Sequence, residues 1–200
     1  MIRLALLRHG PTAWNAGRRL QGRADIPLSP EGVAAVRERR VPAELAGFRW
    51  LASPLARARQ TADLLGVAAE PEPALIEMDY GAWEGLTLAA ARAGDPGAVA
   101  NEARGLDFTP PGGESPRVVQ ARLAGLAARL LADGRDTAAV THKGVIRAAL
   151  ALATGWDMTG KPPRRLDWAA AHLFLLDAAG HWSLVRADIP MTSRPPEPPE

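Results

Sequence analysis

Arg8-His9-Gly10 stands directly after a short apolar run, Leu4 to Leu7. A neutral imidazole is a nucleophile near neutral pH. The guanidinium beside it offers a fixed fork of donors for phosphate oxygens, and glycine lets backbone approach an anion closely. The triplet suits attack on a phosphoryl group. Alone it carries little weight, because the same three residues also suit a hydrogen-bonded core histidine next to a surface arginine. It is not alone. Thr12 and Asn15 follow at short range, then Leu20-Gln21-Gly22, then Asp25 to Ser29 with Gly32. Ser53-Pro54 precedes Arg57, and Leu75-Ile76-Glu77-Met78-Asp79-Tyr80-Gly81 leads into Trp83-Glu84-Gly85. The last motif is Thr141-His142-Lys143-Gly144-Val145-Ile146-Arg147.

In this order, from Leu7 to about Arg147, the motifs resemble the histidine phosphatase superfamily, the phosphoglycerate mutase-like proteins. Several motifs in the correct order are far more specific than any one of them. The resemblance implies that His9 is the nucleophile that becomes phosphorylated. It implies a phosphate pocket of Arg8, Arg57 and His142, assisted by Asn15. Glu77 matches the proton donor to the leaving oxygen, which later activates water. Elementary chemistry agrees with this set. A transferring phosphoryl group needs positive charge and donors around its equatorial oxygens. Two arginines and a second histidine supply them, so neither metal nor cofactor is expected. A carboxylic acid can protonate the leaving alkoxide if its pKa is raised. Asp79 and Glu84 are the rivals of Glu77, with loop capping and solvated charge as their alternative roles.

Lys143 departs from the pattern, since many relatives carry glycine after the second histidine. It reads either as a surface residue at a helix start or as an extra cation for a distal anionic part of the substrate. Thr12, Gln21 and Gly22 are candidate substrate contacts, with loop hydrogen bonding as the alternative. His172 and His181 have no motif around them and read as structural. Trp14 and Trp83 lie beside the motifs and are expected to wall the pocket, whereas the other four tryptophans read as packing.

These residues need elements to hold them. Ile2 to Leu7 reads as a buried strand ending at Arg8. Ser29-Pro30-Glu31 opens a helix to about Arg40, ahead of Pro42. Trp50 to Ala52 reads as a strand, and Ser53-Pro54 repeats the cap signal for a helix closed by Gly66. Ala74 to Ile76 reads as another strand. After Ser115-Pro116, Val119, Leu123, Leu126 and Leu130 form one helical stripe. Asp136 to Thr141 reads as a strand that ends at His142, followed by a helix over 145–153. Two late strands, 173–176 and 182–185, are joined by a turn at Ala178-Ala179-Gly180. Strands alternating with helices predict a three-layer α/β/α fold with a mainly parallel central sheet, phosphoglycerate mutase-like. Ligands bind beyond the carboxyl ends of such strands, which brings His9 and His142 together. Residues 1–190 read as one domain with a lid-like insertion around 86–113. Residues 191–200 read as a disordered tail rich in Pro and Glu.

Composition narrows the function further. Of 200 residues 47% are hydrophobic, enough for a sizeable core. There is no cysteine, which excludes disulfides and thiolate chemistry. Net charge is only +2 and no long basic run appears, so nucleic acid is not an expected partner. No stretch is long enough to span a membrane and no leader is visible, which predicts a cytoplasmic protein. The expected partner is a small phosphorylated substrate; the oligomeric state is open, a homodimer included. The sequence reading is a metal-independent phosphatase that hydrolyses small phosphomonoesters through a phosphohistidine. A phosphoglycerate mutase-type phosphotransferase is the main alternative, and α-ribazole phosphatase is one specific hydrolase. A phosphate-binding protein without turnover is disfavoured, because His9, His142 and Glu77 are all present.

Overall fold

The apolar N-terminal run becomes the middle of a sheet. In the computed structural model, which describes residues 1–191, six strands form one sheet. They are β1 (Ile2–Arg8), β2 (Arg49–Ala52), β3 (Ala69–Pro71), β4 (Thr137–Thr141), β5 (Ala171–Leu176) and β6 (Trp182–Ile189). Their order across the sheet is β3-β2-β4-β1-β5-β6. The first four of that order are parallel neighbours, and β5 and β6 extend the sheet antiparallel. The central strands are covered on both faces, which is why β4 is buried at every position and shows no polar alternation.

Among the described residues there are seven α-helices: α1 (Ala13–Ala16), α2 (Pro30–Arg37), α3 (Ala56–Leu64), α4 (Leu88–Gly94), α5 (Ala98–Glu102), α6 (Pro116–Asp133) and α7 (Lys143–Thr154). The stripe Val119, Leu123, Leu126 and Leu130 of α6 packs with Ile146 and Leu150 of α7 against Leu4, Leu6 and Ala139 on one sheet face. Ala58 and Ala62 of α3 pack with Leu45 and Phe48 against Ala5, Leu7 and Val140 on the other. The result is the expected three-layer α/β/α arrangement.

Local readings differ in instructive places. The helix from Ser29 ends at Arg37, short of Arg40. Ala74 to Ile76 is not a strand: Pro73–Leu75 forms a 3₁₀ turn, whose Ala74 N–H donates to the Glu72 carboxylate at 2.8 Å. The edge strand lies just before it, at β3. Ser53 does not cap α3, which starts at Ala56 with Leu55 at the cap position. Asp25 serves instead from a distant loop, its carboxylate accepting the Ala56 N–H at 2.6 Å. The Ser53 hydroxyl is engaged by His142 (2.7 Å). Helix α7 begins at Lys143, two residues before the expected start, with His142 as its N-cap. Both late strands run longer than their apolar cores. The 86–113 region holds α4, α5 and a 3₁₀ turn, and a small core of Trp83, Ala91 and Ala98 anchors it. The tail, apart from Met191, lies outside the described residues.

Neighbouring strand ends fix the loop after β1. The His9 N–H donates to the Thr141 carbonyl at 2.9 Å. The Gly10 N–H donates to Thr61 Oγ1 at 2.9 Å, and the Thr61 hydroxyl donates to the Arg57 carbonyl at 2.7 Å. One buried hydroxyl thus ties the His9 loop to the helix that carries Arg57. Thr61→Val keeps the shape and strands the Gly10 N–H. Urea unfolding is expected to show a loss of about 1–3 kcal/mol, the cost of an unmade buried hydrogen bond.

Candidate active site

His9, Arg57 and His142 meet where β1, β2 and β4 end. The two imidazole rings lie 5.1 Å apart between centroids. His9 Nδ1–H donates to the Gly10 carbonyl at 2.6 Å. A carbonyl can only accept, so the proton sits on Nδ1 and the Nε2 lone pair is left free. Burial lowers the His9 pKa to about 3, assisted by the charges of Arg8 and Arg57 and opposed by the Gly10 carbonyl. The ring is therefore neutral at physiological pH.

His142 is fully buried behind it. Its Nδ1 accepts the Arg57 Nε–H at 3.3 Å, so Nε2 carries the proton and donates to Ser53 Oγ at 2.7 Å. Burial pushes its pKa well below the ordinary value, with His9 and Arg57 adding to the effect. The Arg57 side chain is itself held by the loop before α2. Its two terminal nitrogens donate to the carbonyls of Gly22 and Ala24, each at 2.7 Å. Arg8 is different: its Nε is buried and has no hydrogen-bond partner among the described residues. A buried, unpartnered guanidinium nitrogen beside a free imidazole nitrogen suits an anion.

Glu77 closes the same cleft. Its carboxylate accepts the Met78 N–H at 2.9 Å and the Gly144 N–H, at the start of α7, at 3.2 Å. Burial raises its pKa, against those two N–H groups and the charges of Arg57 and Arg122. Asp79 and Glu84 have other tasks. Asp79 accepts the Gly81 N–H at 2.8 Å, and Glu84 accepts the N–H groups of Arg23 and Ala24 at 2.6 and 3.0 Å.

The remaining candidates divide. Asn15 Oδ1 accepts the Thr12 N–H at 2.9 Å, which leaves its amide NH₂ as a donor at the cleft wall. Gln21 and Lys143 also line the cleft, whose volume is about 530 Å³. Thr12 and Gly22, expected as substrate contacts, are absent from the cleft lining. The Thr12 hydroxyl caps α1, and Gly22 offers its carbonyl to Arg57. Gly22 has φ +51°, and a Cβ there would collide with the Glu84 carboxylate, so its role is conformational. Neither expected tryptophan walls the cleft. Trp83 is buried in the 86–113 core beside Phe108, and the Trp14 ring lies over Gly85. Trp168, read from sequence as packing, instead lines an adjoining cleft of about 650 Å³ that also reaches Arg8 and His9. His172 is buried, accepting the Asp188 N–H at 3.3 Å, and His181 pairs with Asp177 at the surface.

Sequence reasoning missed Ser53, Arg122 and Trp168. Ser53 carried a helix-cap signal that hid its bond to His142. Arg122 had no local signal; it reaches the Ala74 carbonyl and pairs with Glu114 at 3.4 Å from the middle of α6. Backbone strain marks the site as well. Among the described residues, the non-glycines with positive φ are Arg18, Met158 and Asp188. All three line one of the two clefts that flank His9.

The chain matches the model of the histidine phosphatase superfamily, branch 1, over residues 4–189. It belongs to that superfamily. The glucosyl-3-phosphoglycerate phosphatase of Mycobacterium tuberculosis is 35% identical over 161 residues, 73% of this chain and 72% of the relative. The structure of mycobacterial glucosyl-3-phosphoglycerate phosphatase with inorganic phosphate superposes with a TM-score of 0.75 at 29% identity, covering 96% of this chain and 99% of that one. A structure from Thermus thermophilus gives 0.69 at 34% identity, covering 94% and 100%. Family and relatives make this chain a phosphatase, a hydrolase of phosphomonoesters. No described helix is long and apolar enough to cross a membrane.

Arg8 gives a test with two opposite signs. Arg8→Met removes a half-buried charge whose Nε has no partner, so the unliganded protein should melt at a higher temperature than wild type. The same change should weaken inorganic phosphate by about 10- to 100-fold, the worth of a charge-assisted hydrogen bond. Thermal melting across a phosphate titration reads both.

Proposed function

We propose that the chain hydrolyses small phosphomonoesters by two in-line transfers, with His9 as the nucleophile. His9 Nε2 attacks phosphorus, and a P–N bond forms as the ester P–O bond breaks. Arg8 and Arg57 neutralise the equatorial oxygens, and the Asn15 amide donates to them. Glu77, whose pKa burial raises, acts as the acid and gives its proton to the leaving oxygen. As a carboxylate it then takes a proton from water, whose oxygen attacks phosphorus and breaks the P–N bond. Inorganic phosphate leaves, and His9 and Glu77 return to their starting states.

One observation carries this reading: His9 Nδ1–H is held by the Gly10 carbonyl, so the lone pair stays on Nε2. The lowered pKa keeps that lone pair available, and the cations that lower it are those that would hold the phosphoryl group. His142 plays a supporting part. With Nε2–H held by Ser53, its Nδ1 positions the Arg57 guanidinium. Guanidinium groups supply the positive charge, so the proposed mechanism calls on no metal or cofactor. The named mycobacterial relatives act on glucosyl-3-phosphoglycerate, and a phosphorylated metabolite of moderate size is the substrate class proposed here. Hydrolysis is favoured over mutase-type transfer, because a phosphatase relative matches nearly three quarters of the chain.

His9→Ala should lower kcat/KM for an aryl phosphate on the order of 10³-fold or more. Retained turnover would remove the nucleophile assignment. Glu77→Gln should slow alkyl phosphates by about 10²–10⁴-fold and aryl phosphates much less, since a phenolate leaves with little need for a proton. The pH profile has a definite sign. Turnover requires neutral His9 and protonated Glu77, so it is lost in acid as His9 takes a proton near its lowered pKa of about 3. On the alkaline side it is lost as Glu77 ionises, above its ordinary range. Glu77→Gln should flatten the alkaline limb and leave the acid limb in place. Incubation with 3-phosphoglycerate and 2,3-bisphosphoglycerate separates release of phosphate from its transfer.

A further inference from the structure

Arg8 and Arg57 suffice for one phosphoryl group, yet the cleft continues past them. Its wall also carries Arg18, Arg19, Lys143 and Arg147. Lys143 and Arg147 stand one turn apart on α7, so they share a face. Neither takes part in an ion pair among the described residues. Arg3, Arg49, Arg92, Arg117 and Arg129, at the surface, each meet a carboxylate.

The two cations are held by aromatic faces. Lys143 Nζ lies 5.2 Å from the centre of the Trp168 ring, and the Arg147 guanidinium carbon lies 4.9 Å from that of Trp156. An indole face orients a cation without cancelling its charge. Burial lowers the pKa of both groups; Lys143 also feels the like charges of Arg8 and Arg147. The groups facing them are Glu77 and Tyr80. Glu77 is tied to backbone N–H groups, and burial raises the pKa of both. Half-buried like charges held close together without a counter-ion are costly, and a bound anion relieves that cost.

We propose that Lys143 and Arg147 form a second anion subsite, and that the preferred substrate is a phosphomonoester bearing a second anionic group, a carboxylate or another phosphate. The inference rests on the phosphatase reading above, in which Arg8 and Arg57 take the transferred phosphoryl group. Lys143, at the first turn of α7 beside His142, then determines specificity.

The test measures affinity on His9→Ala protein, so the subsite is scored independently of turnover. Two ligand pairs are titrated by calorimetry: 3-phosphoglycerate against glycerol 3-phosphate, and fructose 1,6-bisphosphate against fructose 6-phosphate. The first pair reports a carboxylate and the second a phosphate. At least one ligand with the second anionic group should bind about tenfold tighter than its comparison ligand, and Lys143→Met or Arg147→Met should each erase most of that ratio. Arg59→Met, an equal charge change on α3 beside a different cleft, should leave the ratio in place. Equal affinities within both pairs overturn the inference. So does a preference that survives both α7 substitutions, or one that Arg59→Met lowers equally, since the latter would be a general field effect. Failure of all four ligands to bind would remove the phosphate pocket and the subsite together. Wild-type phosphate release tests hydrolysis separately.

Discussion

The fold gathers positive charge in one place and withholds carboxylate partners from it. Arg8, Arg57, Lys143 and Arg147 all face one cleft at the carboxyl ends of the parallel strands. Glu77 is the carboxylate among its lining residues, and burial together with its backbone hydrogen bonds makes it a poor counter-ion. Concentrated charge of this kind is held by the rest of the molecule. Two apolar layers fix the strand ends, and buried hydrogen bonds from Thr61, Ser53, Gly22 and Ala24 fix the side chains and loops between them.

Burial, acting with that charge on His9 and against it on Glu77, shifts the two groups in the directions that the proposed chemistry needs. A histidine buried among guanidiniums is held neutral by desolvation first and their charge second, and the Gly10 carbonyl decides which nitrogen keeps the remaining proton. A carboxyl in the same buried wall moves the other way, because desolvation outweighs the nearby cations. Gly144 allows this closeness: a Cβ at that position would collide with Glu77 Oε1. One environment thus lowers the pKa of an imidazole and raises that of a carboxyl lining the same cleft.

Much of this was legible from residue types and order. Arg8-His9-Gly10 after an apolar run, and His142 after another, were enough to predict two strands ending at one site. Cap residues located α2 and α6 because Ser29 and Ser115 do what isolated cap signals suggest. Ser53 shows where local signals fail: its hydroxyl serves a histidine 89 positions away, and Asp25 supplies the helix cap from a separate loop. Ala74 to Ile76 is apolar enough for a strand, but Pro73 and the Glu72 carboxylate turn it into a 3₁₀ segment. The aromatic wall was misread for a related reason. Trp14 and Trp83 neighbour the motifs along the chain, whereas Trp168 reaches the adjoining cleft beside Arg8 and His9 from the connection between α7 and β5. Neighbourhood in sequence is a weak guide to contacts that loops create.

The central claim is that phosphorus passes through a bond to His9 Nε2. The most direct measurement is a rapid chemical quench during turnover of a phosphate-labelled substrate, followed by peptide mapping under alkaline conditions that preserve phosphohistidine. The account predicts one acid-labile, base-stable phosphoryl group on the peptide containing His9, formed faster than phosphate release and accumulating further when Glu77 is replaced by Gln. Steady turnover with no label on the protein at any quench time, or label confined to another residue, would contradict it.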